Sequence, residues 1–348
     1  MITTDKIAVV ILNWNGRDMM RQFLPSVLRD SQPEGLVIVA DNGSTDGSLE
    51  MLEEEFPKVV RLPLPQNYGF AEGYNQALKL IDAPYYLLLN SDVETSPHWL
   101  QPLLQYMENH MEVAACQPKL LSQRNKTMFE YAGAAGGFLD RLGYPFCRGR
   151  IFGTVEKDEG QYDTICPVLW ATGAALMIRQ SDWKSSGGLD GRFFAHMEEI
   201  DLCWRLRARG RQIVCIPESV AYHVGGATLN ANNPRKTFLN FRNNLLMLYK
   251  NLPENELKSV MRQRKWLDYV AAIKFLIVGD VPNFKAVLKA RQAYKEMRPC
   301  FRKDRLSNLE KSVNGGHGLH ERIKGSILMM YYLKGVKVFS KLVLKLYK

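Results

Sequence analysis

Short apolar runs alternate with amphipathic stretches of helical length through the first third of the chain, and each run ends in small polar or acidic residues. The runs are 7–12, 36–40 and 85–89, and the amphipathic stretches lie near 19–28, 48–56 and 71–81. Apolar runs this short and this rich in β-branched residues read as strands, and strands separated by helices imply βαβ units in a parallel sheet. The endings are Asn13-Trp14-Asn15-Gly16, Asp41-Asn42-Gly43-Ser44 and Asn90-Ser91-Asp92. Ligands of open α/β sheets bind beyond the carboxyl ends of the strands, so these three endings are expected to meet in one crevice.

A second ordered block follows, with a strand at 174–178, a helix at 200–209 ended by Gly210, and a strand at 212–216 stopped by Pro217. The segment 122–164 between the blocks is rich in glycine and charge and has weak periodicity, so it reads as irregular loops over a site. After about Lys250 the pattern turns helical and basic. A boundary near Asn251-Leu252-Pro253 divides the chain into units 1–250 and 251–348.

The chain has 348 residues, 46% hydrophobic and 24% charged, enough to bury one large core and a smaller one. Its net charge of +10 is compatible with nucleic acid, anionic membrane or phosphorylated small molecules. No nucleic-acid-binding module is recognisable, so no nucleic-acid partner is expected. Six scattered cysteines without CxxC spacing suit a reducing compartment, and the N-terminal apolar run is too short for a secretion signal. No stretch reaches the roughly 20 apolar residues of a membrane span. These features predict a cytoplasmic protein.

Three constellations bear chemistry. At Asp41 a strand delivers a carboxylate to a glycine turn; Gly43, Thr45 and Asp46 have structural accounts as turn and cap residues, whereas Asp41 is free to accept a hydrogen bond from a ligand N–H such as the imide of a pyrimidine. At Asp92 a buried apolar strand ends in an acid while Thr95 and Ser96 can fill the cap role, leaving Asp92 available to Mg²⁺ or Mn²⁺. Glu198-Glu199-Ile200-Asp201 places three carboxylates at a helix start; one is explained by the helix dipole, and crowding raises the pKa of the others toward that of a general base. His223 follows the 212–216 strand and can join Asp92 at one metal. His196-Met197-Glu198 has the H-x-E form of zinc deaminases, but the P-C-x-x-C those enzymes require is absent.

Taken in order, Val10-Ile11-Leu12-Asn13-Trp14-Asn15, Asp41 to Ser48, Asn67 to Asn75, Leu89-Asn90-Ser91-Asp92, Thr172 to Arg179, Glu198 to Arg205 and His223 resemble the family-two inverting glycosyltransferases of the GT-A fold, in particular the bacterial rhamnosyltransferase-like branch. The resemblance covers about residues 7–249. It implies a Rossmann-like, mostly parallel twisted sheet flanked by helices as the catalytic domain, with a C-terminal helical extension. It implies a nucleotide-sugar cleft of Asn13, Asn15, Asp41, Asn67, Asn75, Asn90 and Ser91, with Asp41 on the pyrimidine; Asn75 reads equally as a satisfied helix residue. Asp92 would hold Mg²⁺ or Mn²⁺ with His223, Asn90 standing where the family has its first acid. Glu199 falls on the base position with Glu198 as the alternate. Trp170 and Gly173 would face the acceptor, though Trp170 also fits a core.

The implied activity is metal-dependent transfer of a sugar from a UDP- or dTDP-sugar to a hydroxyl of a saccharide, lipid-linked in cell-surface polysaccharide synthesis. The alternative is a catalytically silent nucleotide-sugar-binding protein of the same fold, suggested by Asn90 and Glu199. A processive synthase would need membrane spans and a Q-x-x-R-W motif, and the chain has neither. Lys334, Lys337, Lys341, Lys345 and Lys348 recur at helical spacing; this reads either as a docked helix with a solvated lysine face or as a helix peripheral on the inner face of the cytoplasmic membrane.

Overall fold

A computed structural model describes residues 1–225 and 233–346, with the backbone alone for 343–346. The chain runs β1 (Ile2–Thr3), β2 (Ile7–Asn13), α1 (Arg17–Asp30), β3 (Gly35–Asp41), α2 (Ser48–Glu55), β4 (Val60–Pro63), α3 (Gly69–Leu78), β5 (Ile81–Asp82) and β6 (Tyr85–Leu89). It continues through β7 (Val93–Thr95), α4 (Leu100–Asn109), β8 (Val113–Ser122), β9 (Gly137–Asp140), β10 (Pro145–Cys147), β11 (Arg150–Ile151), β12 (Thr154–Val155), β13 (Cys166–Pro167) and β14 (Ala175–Arg179). The remaining elements are α5 (Gln180–Ser186), α6 (Glu198–Ala208), β15 (Gln212–His223), α7 (Pro234–Asn251), α8 (Glu254–Ile277), α9 (Val281–Met297), α10 (Arg302–Glu310), β16 (Arg322–Ile323) and α11 (Phe339–Leu346).

The main sheet has the order β13-β15-β8-β14-β6-β2-β3-β4, with β7 pairing β15. Strands β6, β2, β3 and β4 are parallel, as their connecting helices require, and β14 runs antiparallel between β6 and β8. Side chains alternate across the sheet. Ile7, Val9 and Ile11 of β2 face Met20, Leu24, Trp99 and Leu103 on one side. Ala8 and Val10 face Ala71, Tyr74 and Ala77 on the other. Both faces are covered, which is why these strands carry unbroken apolar runs.

Two sequence expectations are corrected. The segment 122–164 is only partly irregular: within it β9, β10, β11 and β12 form an antiparallel meander, closed at its other edge by β16 pairing parallel with β9. Its strands are two to four residues long, too short to display a period of two, and glycines carry its turns. Pro217 does not stop the last long strand either. β15 continues to His223, and the pairing with β8 is irregular between Ile216 and Val220, which accommodates a residue lacking an N–H donor.

Leu252 and Pro253 separate α7 from α8, but the helices beyond share the core of the sheet: Val260, Tyr294, Phe301, Ile327 and Tyr331 are buried in one cluster with Trp204 and Leu246. The lysine series is broken. Met329–Leu333 form a π-helical turn, Gly335 adopts φ 65°, and only from Phe339 does a new helix begin, so Lys334 and Lys337 share no helix face with Lys341. Phe339 packs against Phe138, Phe146 and Tyr162 of the meander. The side chain of Lys345 and the whole of Lys348 lie outside the described residues. Among the described residues no helix is long and apolar enough to cross a membrane.

Candidate active site

The carboxyl ends of β3, β2 and β6 lie side by side, so Asp41, Asn13 and Asn90-Ser91-Asp92 do meet at one sheet edge. Asn13 and Asp41 are buried. Asn13 Nδ2 donates to Asp41 Oδ2 at 2.9 Å and to Ser44 Oγ at 3.1 Å, while its Oδ1 accepts from the Gly16 N–H at 3.1 Å. Asp41 Oδ1 accepts from the Ser44 N–H at 2.9 Å. Asp41, left unexplained by sequence alone, therefore has a structural task in fixing two loops. Asn15 is exposed and takes the left-handed conformation, and its Oδ1 accepts from the Thr45 N–H at 2.8 Å. Asn42, not singled out from the sequence, joins this floor to the next wall: it donates to the Gly69 carbonyl and to Asn67 Oδ1 and accepts from the Tyr68 N–H.

Asn75 and Trp170 require correction. Asn75 exchanges hydrogen bonds with both the N–H and the carbonyl of Leu189, so its side chain ties α3 to the loop before α6 and is a satisfied helix residue. Trp170 lies in the core against Gly137 and donates Nε1–H to the Phe138 carbonyl at 3.0 Å. Gly173 is placed differently. A Cβ there would approach the Phe70 ring to 3.3 Å and Glu199 Cβ to 3.8 Å, and the adjoining Ala174 carbonyl accepts from the Asn90 N–H. Gly173 thus stands between the β6 terminus and α6.

Asp92 and His223 come together because β7 pairs with the end of β15, Val93 opposite His223, and the Val224 N–H donates to the Asp92 carbonyl. His223 Nε2 lies 3.1 Å from Asp92 Oδ1 and 3.3 Å from Asn90 Nδ2, and its Nδ1 lies 3.2 Å from Glu130 Oε1. Burial opposes charge on this ring, but Asp92 and Glu130 outweigh it and raise the imidazole to about 10. Glu130 was missed from the sequence; it is one carboxylate in a segment of many charges, and nothing in the local pattern marks it.

Asp92 supplies the oxygen donor that a hard divalent cation prefers. Raised to about 10, the ring carries a proton on each nitrogen near neutral pH and lies between Asp92 and Glu130, so a cation would take the Nε2 lone pair only by displacing the proton that faces Asp92. Glu130 then takes the place of the carboxylate that commonly orients a ligating histidine. Among the described residues no three His, Cys, Asp or Glu side chains are so placed that together they could hold a metal ion. Two protein ligands are what Mg²⁺ commonly receives, its remaining positions going to water and substrate phosphate.

Across Gly173, α6 begins from a loop in which Phe194, His196 and Met197 all have positive φ, at 67°, 70° and 74°. Such conformations cost on the order of 1–3 kcal/mol each for residues with a side chain. Asn243 of α7 holds them: its Nδ2 donates to the carbonyls of Phe193, Ala195 and His196 at 2.8 to 2.9 Å. The Phe194 carbonyl in turn accepts from the Phe70 and Ala71 N–H groups at the start of α3. The Asn243-Asn244 pair inside an apolar helix was the available sequence signal.

The three acids of α6 have separate surroundings. Asp201 is fully buried and saturated by Arg205, Lys250 and Asn251, which assigns it to structure. Glu198 is buried, and desolvation together with the neighbouring Glu199 holds its carboxyl far above the ordinary range. Burial also raises Glu199, but backbone N–H groups at the helix start limit the rise to about 7. Glu199 is partly exposed as a residue, and the buried Oε2 atoms of both Glu198 and Glu199 have no hydrogen-bond partner among the described residues.

Residues 8–153 match Glycosyl transferase family 2. The chain is similar to the N-acetylglucosaminyl-diphospho-decaprenol L-rhamnosyltransferase of Mycobacterium tuberculosis, at 28% identity over 236 residues, covering 63% of this chain and 76% of that protein. It is 27% identical to the rhamnosyltransferase WbbL of Escherichia coli over 163 residues, 45% of this chain and 61% of that one. The mannosyltransferase of Pyrobaculum calidifontis, solved with GDP-Man and Mn²⁺, aligns with TM-score 0.51 and 12% identity over 88% of this chain and 89% of its own, a likeness of fold. The strand order and these matches agree: residues 8–153 carry a glycosyl transferase family 2 domain, and the fold is GT-A.

Proposed function

We propose that the chain transfers a hexosyl or deoxyhexosyl group from a UDP- or dTDP-sugar to a hydroxyl of a lipid-linked saccharide in cell-surface polysaccharide synthesis, with inversion at the anomeric carbon. The observation that carries this reading is Glu199: a carboxylate raised to about 7, with an oxygen that no protein donor engages, beside the small residue Gly173. Near neutral pH a group so placed exists substantially as the anion yet retains a strong pull on a proton, which is the condition for general-base catalysis.

In this mechanism Asp41 and Asn13 fix the floor of the donor crevice, Asn15 and Asn67 border it, and Asn90 and Ser91 face the sugar diphosphate. Glu199 takes the proton from the acceptor hydroxyl as its oxygen bonds to the anomeric carbon. The bond from that carbon to the β-phosphate oxygen breaks on the opposite face, and the nucleoside diphosphate departs with the electron pair. A divalent cation held by Asp92 and His223 would neutralise charge growing on that phosphate. Glu198, protonated next to Glu199, adds no competing negative charge. The relatives named rhamnosyltransferases, one of them for a diphospho-decaprenol substrate, support a deoxyhexosyl donor and a polyprenyl-linked acceptor.

The test is release of nucleotide from a panel of UDP- and dTDP-sugars, with Mn²⁺ and after its removal by a chelator. Metal-dependent release from one donor is expected. Tight binding of a donor without release under any condition would favour the catalytically silent alternative.

A further inference from the structure

Helix α8 is amphipathic in the reverse sense. Its inward face, at Val260, Arg264, Asp268 and Ala272, buries an ionic pair: Arg264 meets Asp268, which also accepts from Arg291 of α9. Its outward face carries Trp266, Val270, Ile273 and Ile277, spaced at intervals of four, three and four, and every one of them is more than half exposed. Ile277 is 79% exposed and Val278 beyond it 68%. The π-helical turn extends the patch, with Tyr332 beneath Lys274 at 5.8 Å and Leu333 76% exposed. An isolated exposed apolar residue has no meaning, but a contiguous stripe that includes tryptophan and tyrosine marks a contact surface.

We propose that this face docks on an anionic lipid bilayer. The charge around it selects that occupant. Lys265, Lys274 and Lys334 are exposed among or beside the apolar residues, and from residue 322 onward the sequence contains Arg322, Lys324, Lys334, Lys337, Lys341, Lys345 and Lys348 without a single Asp or Glu. A bilayer takes the apolar side chains below its headgroups and meets the lysines with phosphates. A second copy of the chain, packed across a two-fold axis, would set the same lysines against each other. The docking face is α8 with the 329–333 turn, and Lys341, exposed on α11, supplies field and not insertion.

The proposal rests on the lipid-linked acceptor only for its biological use. The full chain is sedimented with vesicles of phosphatidylglycerol and phosphatidylcholine, and with phosphatidylcholine alone, at low and high salt. Binding is expected to the mixed vesicles and to weaken with salt. The Ile273→Asp/Ile277→Asp variant, altered only at exposed positions and checked by its melting temperature, should bind about 100-fold more weakly, about tenfold for each apolar side chain lost; Ile277→Asp alone serves if the double variant melts early. Failure of the wild type to bind the mixed vesicles, or undiminished binding by the variants, overturns the proposal. So does a wild-type dimer that Ile277→Asp dissociates while vesicle binding persists. Vesicle binding by a chain without nucleotide-sugar turnover would keep this face and remove the function proposed above; turnover without vesicle binding would do the reverse.

Discussion

Glu198 and Glu199 are neighbours at the start of α6 and yet meet different surroundings, since Glu198 is enclosed and bears its neighbour's charge while Glu199 is partly exposed and meets more backbone N–H groups. Replacing Glu199 with Gln removes the proton acceptor and keeps the shape. Turnover should fall about 10²- to 10⁴-fold with donor affinity preserved, as measured by initial rates alongside nucleotide-sugar titration. The pH dependence follows in two opposite directions. Catalysis needs the anion, so kcat/KM should rise through about pH 7 and level above it. Stability moves the other way: a folded pKa raised from 4.5 to about 7 means the folded state holds the proton more tightly, so this contribution is complete below about 4.5 and is lost as pH rises to about 7. Melting curves of the wild type should fall relative to Glu199→Gln across that interval. Glu130 makes a third case at this scale. Glu130→Gln should weaken Mn²⁺ affinity about 10- to 100-fold, read as the metal concentration that half-saturates donor hydrolysis. The motif residues Asp92 and His223 were legible because both follow apolar strands; Glu130 reaches His223 only through tertiary pairing.

At the scale of elements, what was legible depended on how long each element is. The strands β2, β3 and β6 are each five to seven residues and apolar apart from the terminal Asn13 and Asp41, and their polar endings identified the crevice edge. The meander strands are too short for any period, so their order rests on contacts with β16 and with Phe339, far away in sequence. The loop before α6 was equally illegible, since Phe, His and Met do not announce positive φ. Its geometry is imposed from α7 by Asn243. Asn243→Ala would remove the donor shared by three carbonyls, of which, among the described residues, only that of Phe193 keeps a second side-chain donor in Arg242, and a loss of about 1–3 kcal/mol in urea unfolding is expected, with a further drop in turnover as Glu198 and Glu199 lose their fixed entry.

For the molecule as a whole, composition anticipated a basic helical portion after residue 250 but not that it returns to the sheet. The sequence pattern made the last lysines look like one helix because a period of three or four is visible without knowing that Gly335 interrupts it. Phe339, buried at 8% exposure against three aromatic rings, should be a strong clasp; Phe339→Ala is expected to cost about 3 kcal/mol and to lower the thermal midpoint. The pairing of Leu139 with Arg322 also has a consequence in time. While the chain emerges from the ribosome, β9 offers an unpaired edge until β16 has been made, and Phe138 and Phe146 an uncovered apolar surface until Phe339 follows. The meander is therefore finished last, and a nascent chain stalled before β16 presents a sticky strand where a completed one presents a closed sheet.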